Sequence, residues 1–252
     1  MRRLLKAALA AALPATLLWA PMAHAQESAK QSWSFDGVFG TFDRASAQRG
    51  LQVYAEVCSS CHSMKQMYYR NLEGIGLSPE QVKAFASNFQ VPGALNDSGQ
   101  PTERAALPSD HFRAPFPNDL AARAANGGAL PPDQSVLELA REGGPDYLYD
   151  VLTGYGDPPA GLKIGDGLYY NKAFPGHQIA MPQPLHDEQV TYADGTKATI
   201  AQEAHDVVTF LAFAANPELE ERHRTGVKVV LFLAVLTGLT YGVKRKIWAD
   251  VH

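Results

Sequence analysis

The chain has 252 residues, of which 22 are basic and 26 acidic, giving a formal net charge of −4, and it has only two cysteines. That balance lacks the basic footprint of a nucleic-acid binder. Two cysteines also exclude a disulfide-stapled scaffold or a multi-cysteine zinc module.

Arg2, Arg3 and Lys6 precede an apolar stretch from about Ala7 to Ala20, and Ala23-His24-Ala25 follows as a small-x-small site. This is the order of a secretory signal. The stretch falls short of the ~20 residues a membrane span needs, so residues 1–25 are expected to be cleaved and the mature chain to begin at Gln26. Residues 26–221 are then expected to form a domain outside the bacterial cytoplasm, in the periplasm. The spacing of Leu51, Tyr54 and Val57 predicts a helix over 45–57.

The helix leads into Cys58-Ser59-Ser60-Cys61-His62, a Cys-x-x-Cys-His run of the kind that attaches a c-type haem. Two thiols at this spacing can each form a thioether to one haem vinyl group, and the adjoining histidine then lies under the iron. A redox dithiol or half a zinc site would use the same pair. The dithiol reading lacks a βαβ context, and the zinc reading lacks further cysteines and a His-x-x-x-His partner. One motif means one covalent haem.

Shorter helices are predicted over 135–142 and 147–153, ended by Gly143-Gly144 and Gly154. The proline- and glycine-rich stretches 91–101, 114–118, 127–133 and 156–167 read as loops around the cofactor, and 189–199 as a hairpin about Asp194-Gly195. Ala204, Val207, Val208, Leu211 and Ala215 mark a helix over 202–215, which Pro217 ends. From Val229 to Val243 come 15 consecutive uncharged residues, then Lys244-Arg245-Lys246. With Val227 and a snorkelling Lys228 the run reaches spanning length. Residues 222–246 are therefore expected to be a transmembrane anchor, with 247–252 a cytoplasmic tail behind the basic flank. The fold class expected is mainly α: a class I cytochrome c-like haem domain with long loop insertions, plus one transmembrane helix.

An electron-carrying haem needs a second axial ligand, usually Met or His. Met1 and Met22 belong to the signal, and Met64 and Met67 follow His62 too closely to reach the opposite haem face easily. Met181, in Ala180-Met181-Pro182-Gln183-Pro184, is the candidate; a lone Met often serves only core packing. His111, His177, His186 and His205 compete with it.

Several runs then coincide. They include Arg49-Gly50, Val53-Tyr54, Tyr69-Arg70-Asn71-Leu72, Pro115-Phe116-Pro117-Asn118, the stretch from Ala121 to Asp133, and Leu152-Thr153-Gly154-Tyr155. Phe174-Pro175-Gly176-His177-Gln178-Ile179-Ala180-Met181 and Val243-Lys244-Arg245-Lys246-Ile247-Trp248 complete the set. In this order the chain resembles the cytochrome c1 family, the haem-c subunits of cytochrome bc1 complexes (ubiquinol–cytochrome c oxidoreductases), over nearly all of the mature sequence. The resemblance implies haem attachment by Cys58 and Cys61, iron ligation by His62 and Met181, and pairing of Arg123 with a haem propionate. It also implies packing of Gly50 and Tyr54 on the 210–214 region. Two features depart from the family: Asn171-Lys172-Ala173-Phe174 replaces the usual Asn-Pro-Tyr-Phe, and the additional disulfide of some bacterial members is absent.

The function the resemblance implies is electron transfer. A Rieske iron–sulfur subunit, working beside cytochrome b, reduces this haem, which reduces a soluble cytochrome c; the membrane is the bacterial inner (cytoplasmic) membrane. As an isolated chain it is expected to be an electron carrier, and the oxidoreductase is the complex of which it is a subunit, a quinol–cytochrome c reductase. The alternatives are an anchored cytochrome c of another respiratory complex or a haem peroxidase-like subunit, the latter recognised by ready cyanide or azide binding. Residues 26–221 contain 13 basic and 25 acidic residues, a balance of −12, which favours a basic cytochrome c as acceptor.

Overall fold

The computed structural model describes residues 30–250; the expected signal peptide lies outside them. Helix α1 (Arg44–Glu56) starts at Asp43, whose carboxylate accepts the Ala45 and Ser46 amides, relieving two of the orphan donors at a helix start. It buries Ala47, Gly50, Leu51, Val53 and Tyr54. After it the chain tightens into a 3₁₀ turn over Cys58–Ser60, and a second 3₁₀ segment covers Tyr69–Ile75. Helix α2 (Pro79–Ser87) opens with a reciprocal capping box between Ser78 and Gln81 and has Pro79 at its first position. Helices α3 (Asp119–Ala125) and α4 (Gly144–Thr153) follow, then α5 (Ile200–Ala215), capped by Thr199, and α6 (Leu219–Ile247).

The domain is organised by α1 crossing α5, with α4 also packed against α5. The crossing depends on a glycine: a Cβ at Gly50 would overlap the Asp206 carbonyl and lie 2.8 Å from the Phe210 Cβ. The helices therefore meet backbone to backbone. Around this contact Tyr54 packs on Phe210, ring centroids 5.7 Å apart, and Phe42 meets Phe213 edge-on at 5.5 Å.

At the same crossing sits a buried charge network. Asp206 is fully buried and receives both Nε and Nη2 of Arg49, at 2.8 and 2.9 Å, and the Ser46 hydroxyl at 2.7 Å. Such a charge is tolerable only with its lone pairs filled. The third arm of Arg49 reaches Asp194 at 2.9 Å, tying the 189–199 loop to α1.

Three local expectations are corrected. Residues 135–140 form successive turns, not a helix; Ser135 is held instead by Asp133 and Gln66, so its backbone serves the preceding loop. Residues 189–199 turn at Ala193-Asp194 but pair no strands. There side-chain ties replace a ladder, Asp194 to Arg49 and the Val190 amide to Glu203. Conversely, the stretch read as a loop at 91–101 carries a bulged antiparallel hairpin, β1 (Gln90–Leu95) with β2 (Pro101–Ala105). A second, two-residue pair joins β3 (Tyr169–Tyr170) to β4 (Gln178–Ile179).

Helix α6 leaves this domain. Its 29 residues extend about 44 Å at 1.5 Å per residue, and every side chain from Arg224 to Asp250 is exposed, Leu231, Phe232, Leu236 and Leu239 among them. It is the one helix among the described residues long and apolar enough to cross a membrane.

Candidate haem site

The Cys-x-x-Cys-His loop is wound tightly by its own backbone. The Cys58 carbonyl accepts the amides of Cys61 at 3.1 Å and His62 at 2.9 Å, which folds the two thiols and the imidazole into a single turn at the end of α1. Both cysteines are free, Cys58 buried and Cys61 half-buried. Burial pushes the Cys58 thiol up to about 12, with a smaller contribution from Cys61. A redox dithiol needs a depressed thiol pKa, so the dithiol reading loses its footing. Among the described residues no group of three or more His, Cys, Asp or Glu side chains is placed to hold a metal ion.

His62 is aimed by a strap, residues 131–135, laid along the motif. Its Nδ1 donates to the Pro132 carbonyl at 2.8 Å; because a carbonyl only accepts, the proton resides on Nδ1 and the Nε2 lone pair is left free. Burial lowers the imidazole pKa against the opposing effect of that hydrogen bond, so the ring is neutral at pH 7. This is the state a metal-ligating histidine requires, with its tautomer fixed from the outer shell.

Asp133 secures the strap. Its carboxylate accepts the Ser63 hydroxyl at 2.7 Å and the Lys65 amide at 2.9 Å on one oxygen and the Ser135 amide at 2.9 Å on the other. The Gln134 amide donates to the Ser63 carbonyl at 2.8 Å. Burial alone would raise the Asp133 carboxyl; hydrogen bonds from Ser135, Lys65 and Ser63 outweigh it and hold it below its ordinary value. Pro132 and Asp133 are the site residues that sequence reasoning did not single out. Their signal was the Pro-Pro-Asp run itself, an extended segment followed by a short acceptor.

Arg123 stands at the end of α3, where the loop leading into the strap begins. It is exposed, and its Nη1 donates to the Gly128 carbonyl at 3.0 Å while the Gly128 amide returns a bond to the Arg123 carbonyl at 2.8 Å. The guanidinium keeps donors free for a carboxylate, in the fork geometry that suits one.

Met181 arrives from a separate frame. It is half-buried just past β4, and its carbonyl accepts the Tyr155 hydroxyl at 3.0 Å. Behind it, buried Asn171 donates to the Val151 carbonyl of α4 at 2.7 Å, and its side-chain oxygen accepts the Ala173 and Phe174 amides at 3.0 and 3.1 Å. The turn at the Lys172-Ala173 departure is held by the Asn171 side chain and by backbone amides, the Lys172 amide donating to the Gly154 carbonyl at 2.9 Å. Of the four rival histidines, His186 is exposed and is bonded through its backbone, the amide donating to the Gln189 side chain at 2.9 Å. His205 stacks on Trp33 at 4.8 Å and His111 on Tyr68 at 3.9 Å, while His177 carries φ +58° in the turn before β4. Met64 and Met67 are buried in the core.

The donor set fits a haem c: two unpaired thiols, an imidazole with a free Nε2, and a thioether from another part of the fold. Fold and site together define a mainly α, cytochrome c-like haem domain with long loop insertions and one apolar tail helix. The family model described as "Cytochrome C1 family" matches residues 33–251, and the chain belongs to that family.

Cytochrome c1 of Rhodospirillum rubrum is 47% identical over 238 residues, 88% of each chain. The yeast protein "Cytochrome c1, heme protein, mitochondrial" (Saccharomyces cerevisiae) is 46% identical over 229 residues, 90% of this chain and 74% of that one. "Cytochrome b/c1" of Bradyrhizobium diazoefficiens is 49% identical over 242 residues, 87% of this chain; the match spans only 35% of that longer protein.

Proposed function

We propose that this chain carries one covalent haem c and is the electron-relay subunit of a quinol–cytochrome c oxidoreductase, the bc1 complex. It takes single electrons from the Rieske iron–sulfur protein, beside cytochrome b, and delivers them to a soluble basic cytochrome c. In this reading residues 1–25 are a cleaved signal, 26–221 the haem domain in the periplasm, 222–246 the anchor in the bacterial inner membrane, and 247–252 a cytoplasmic tail. Cys58 and Cys61 hold the haem by thioethers, His62 and Met181 ligate the iron, and Arg123 pairs with a propionate.

The observation that carries the site is the His62 Nδ1–H bond to the Pro132 carbonyl, made by a neutral imidazole in the turn that also holds the two thiols. Bound there, the group supplies a one-electron ferric–ferrous couple. The strap holds His62 in one orientation, so little reorganisation of the ring accompanies a change of charge. A thioether at Met181 favours the reduced state over a histidine in the same place. The acidic surface of residues 26–221 attracts a basic partner and speeds encounter.

The test is a purified full chain, matured with haem ligation and examined by pyridine haemochrome spectroscopy and by rapid mixing with a lysine-rich cytochrome c. A two-thioether spectrum and rapid electron delivery are expected. Haem that extracts into acidified organic solvent, or no electron delivery, would overturn the reading.

A further inference from the structure

The segment before α1 breaks a general habit of turns. The Gly40 amide donates to the Gly37 carbonyl at 3.2 Å, closing a tight turn with Val38 and Phe39 at its tip. Turn tips ordinarily carry Gly, Pro, Asn, Asp or Ser, because those residues meet the backbone demands and remain solvated. Here the tip is apolar, and nothing in the domain covers it: Phe39 is 83% exposed and Val38 66%. The flanking aromatics behave oppositely, Trp33, Phe35 and Phe42 all lying in the core.

The turn is fastened to the beginning of α6. The Glu220 carboxylate receives Nη1 and Nη2 of Arg44 at 2.8 and 2.7 Å and the Phe42 amide at 3.0 Å. One turn further along, the His223 Nδ1 donates to the Gly40 carbonyl at 3.3 Å. A groove between the two is lined by Val38, Phe39, His223, Arg224 and Val227. This sets the height of the turn along the helix. Val227 lies two residues before Val229, where the uncharged run begins, a rise of about 3 Å. Phe39 therefore sits where α6 passes from its charged first turns into its apolar stretch.

We infer that the Gly37–Gly40 turn is a second membrane contact, with Val38 and Phe39 inserted into the headgroup–acyl boundary of the bilayer that α6 crosses. The inference rests on the reading of α6 as a membrane span. Its occupant is lipid because the apolar tip is continuous with the apolar surface of α6 and stands at the level where that surface meets the headgroups. Two attachment points, one helix and one turn joined by the Arg44–Glu220 pair, would fix the tilt of the haem domain over the membrane where a single helix would leave it free to swing.

The test uses the haem-loaded full chain in bilayer discs of phosphatidylcholine and phosphatidylglycerol. The chain has no cysteines besides Cys58 and Cys61, so with those taken by haem a nitroxide on Phe39→Cys is unique. Companion labels on Leu233→Cys, in α6, and Asp97→Cys, at the tip of the β1–β2 hairpin, give the lipid and water references. Relaxation by oxygen and by a water-soluble nickel chelate is compared at each site. The label at 39 is expected to follow the one at 233, relaxed more by oxygen. If it follows 97 while 233 reports lipid, the turn lies in water: the inference fails and the span stands. If 233 itself reports water, both fall. A label at 39 shielded from both relaxants is covered by protein, which also overturns a lipid contact.

Discussion

Replacing Gly50 with alanine adds one methyl at the tightest point of the fold. That Cβ would overlap the Asp206 carbonyl, which is backbone, and meet the Phe210 Cβ at 2.8 Å. No side-chain rotation relieves either contact, so α1 and α5 must move apart. Overpacking of this kind costs about 1–3 kcal/mol, and a clash with helix backbone belongs at the upper end. The stretched Arg49–Asp206 and Ser46–Asp206 bonds, now 2.7–2.9 Å, add to it. Alanine's better helix propensity returns about 1 kcal/mol, leaving a net loss of about 2 kcal/mol. For a domain of this size each kcal/mol shifts the midpoint by about 2–4 °C, so a fall of about 4–8 °C is expected. The assay is thermal unfolding of the haem-loaded protein followed by far-ultraviolet circular dichroism. Gly238→Ala, whose added methyl would meet nothing within 4 Å, serves as the reference. A Gly50→Ala midpoint equal to or above wild type would refute the backbone-contact account of the α1–α5 crossing.

Met181→Leu is expected to leave haem attached while the spectrum shifts to a high-spin or ligand-exchanged form and the potential falls; an unchanged spectrum and potential would remove Met181 from the ligand set. Cys58→Ser with Cys61→Ser should abolish covalent haem and lower accumulation of the domain, read by haem staining and yield; a stable, folded, haem-free product would contradict it. The Asp110 carboxyl is held down at about 2 by the Arg104 side chain and then by the Leu107 amide. Because its folded value lies below the ordinary ~3.9, its contribution is complete above about pH 4 and disappears as the pH falls through 2. The stability gap between wild type and Asp110→Asn should therefore close over that window in acid titrations of unfolding, and a gap independent of pH would exclude the ion pair as its source. Electron delivery to a lysine-rich cytochrome c should slow as salt shortens the Debye length from ~10 Å at 0.1 M to ~3 Å at 1 M; a flat rate would point to apolar docking.

The parts of this fold legible in the sequence are those set by periodicity and by fixed chemical spacing. The apolar stripes of 45–57 and 202–215 give α1 and α5 to within two residues at either end, and the uncharged run at 229–243 gives the centre of α6. What periodicity misses is structure held by single side chains. The 135–140 turns fail to become a helix because Asp133 and Gln66 engage Ser135. Helix α2 went unread despite a Ser-Pro-Glu-Gln start, since its nine residues bury only Val82 and Ala86. The β1–β2 hairpin hides in a proline- and glycine-containing stretch because its strands are mostly exposed and lack the alternation that marks a buried face.

The strap explains why the domain needs loops this long. A histidine beside its two cysteines is confined by the chain, but nothing within Cys58–His62 chooses its tautomer, and the residues that do so lie 70 positions away at Pro132. Reaching that carbonyl requires an extended segment without an internal hydrogen-bond ladder, which two prolines supply. Holding it requires an acceptor that bridges the strap and the segment after the motif, which Asp133 supplies through Ser63 and Lys65. The loop that leads into this strap leaves α3 beside Arg123, whose guanidinium donates to the Gly128 carbonyl. One loop thus sets the ring nitrogen presented on one side and the cation presented at its other end, so a change in its length should disturb both together. Deleting Gly127, outside the strap–motif contacts, should leave Pro132 in reach of His62 only if Arg123 gives up Gly128. Infrared spectroscopy of the histidine ring read alongside the potential would register that exchange. A deletion that altered neither would show that Arg123 and His62 are set independently.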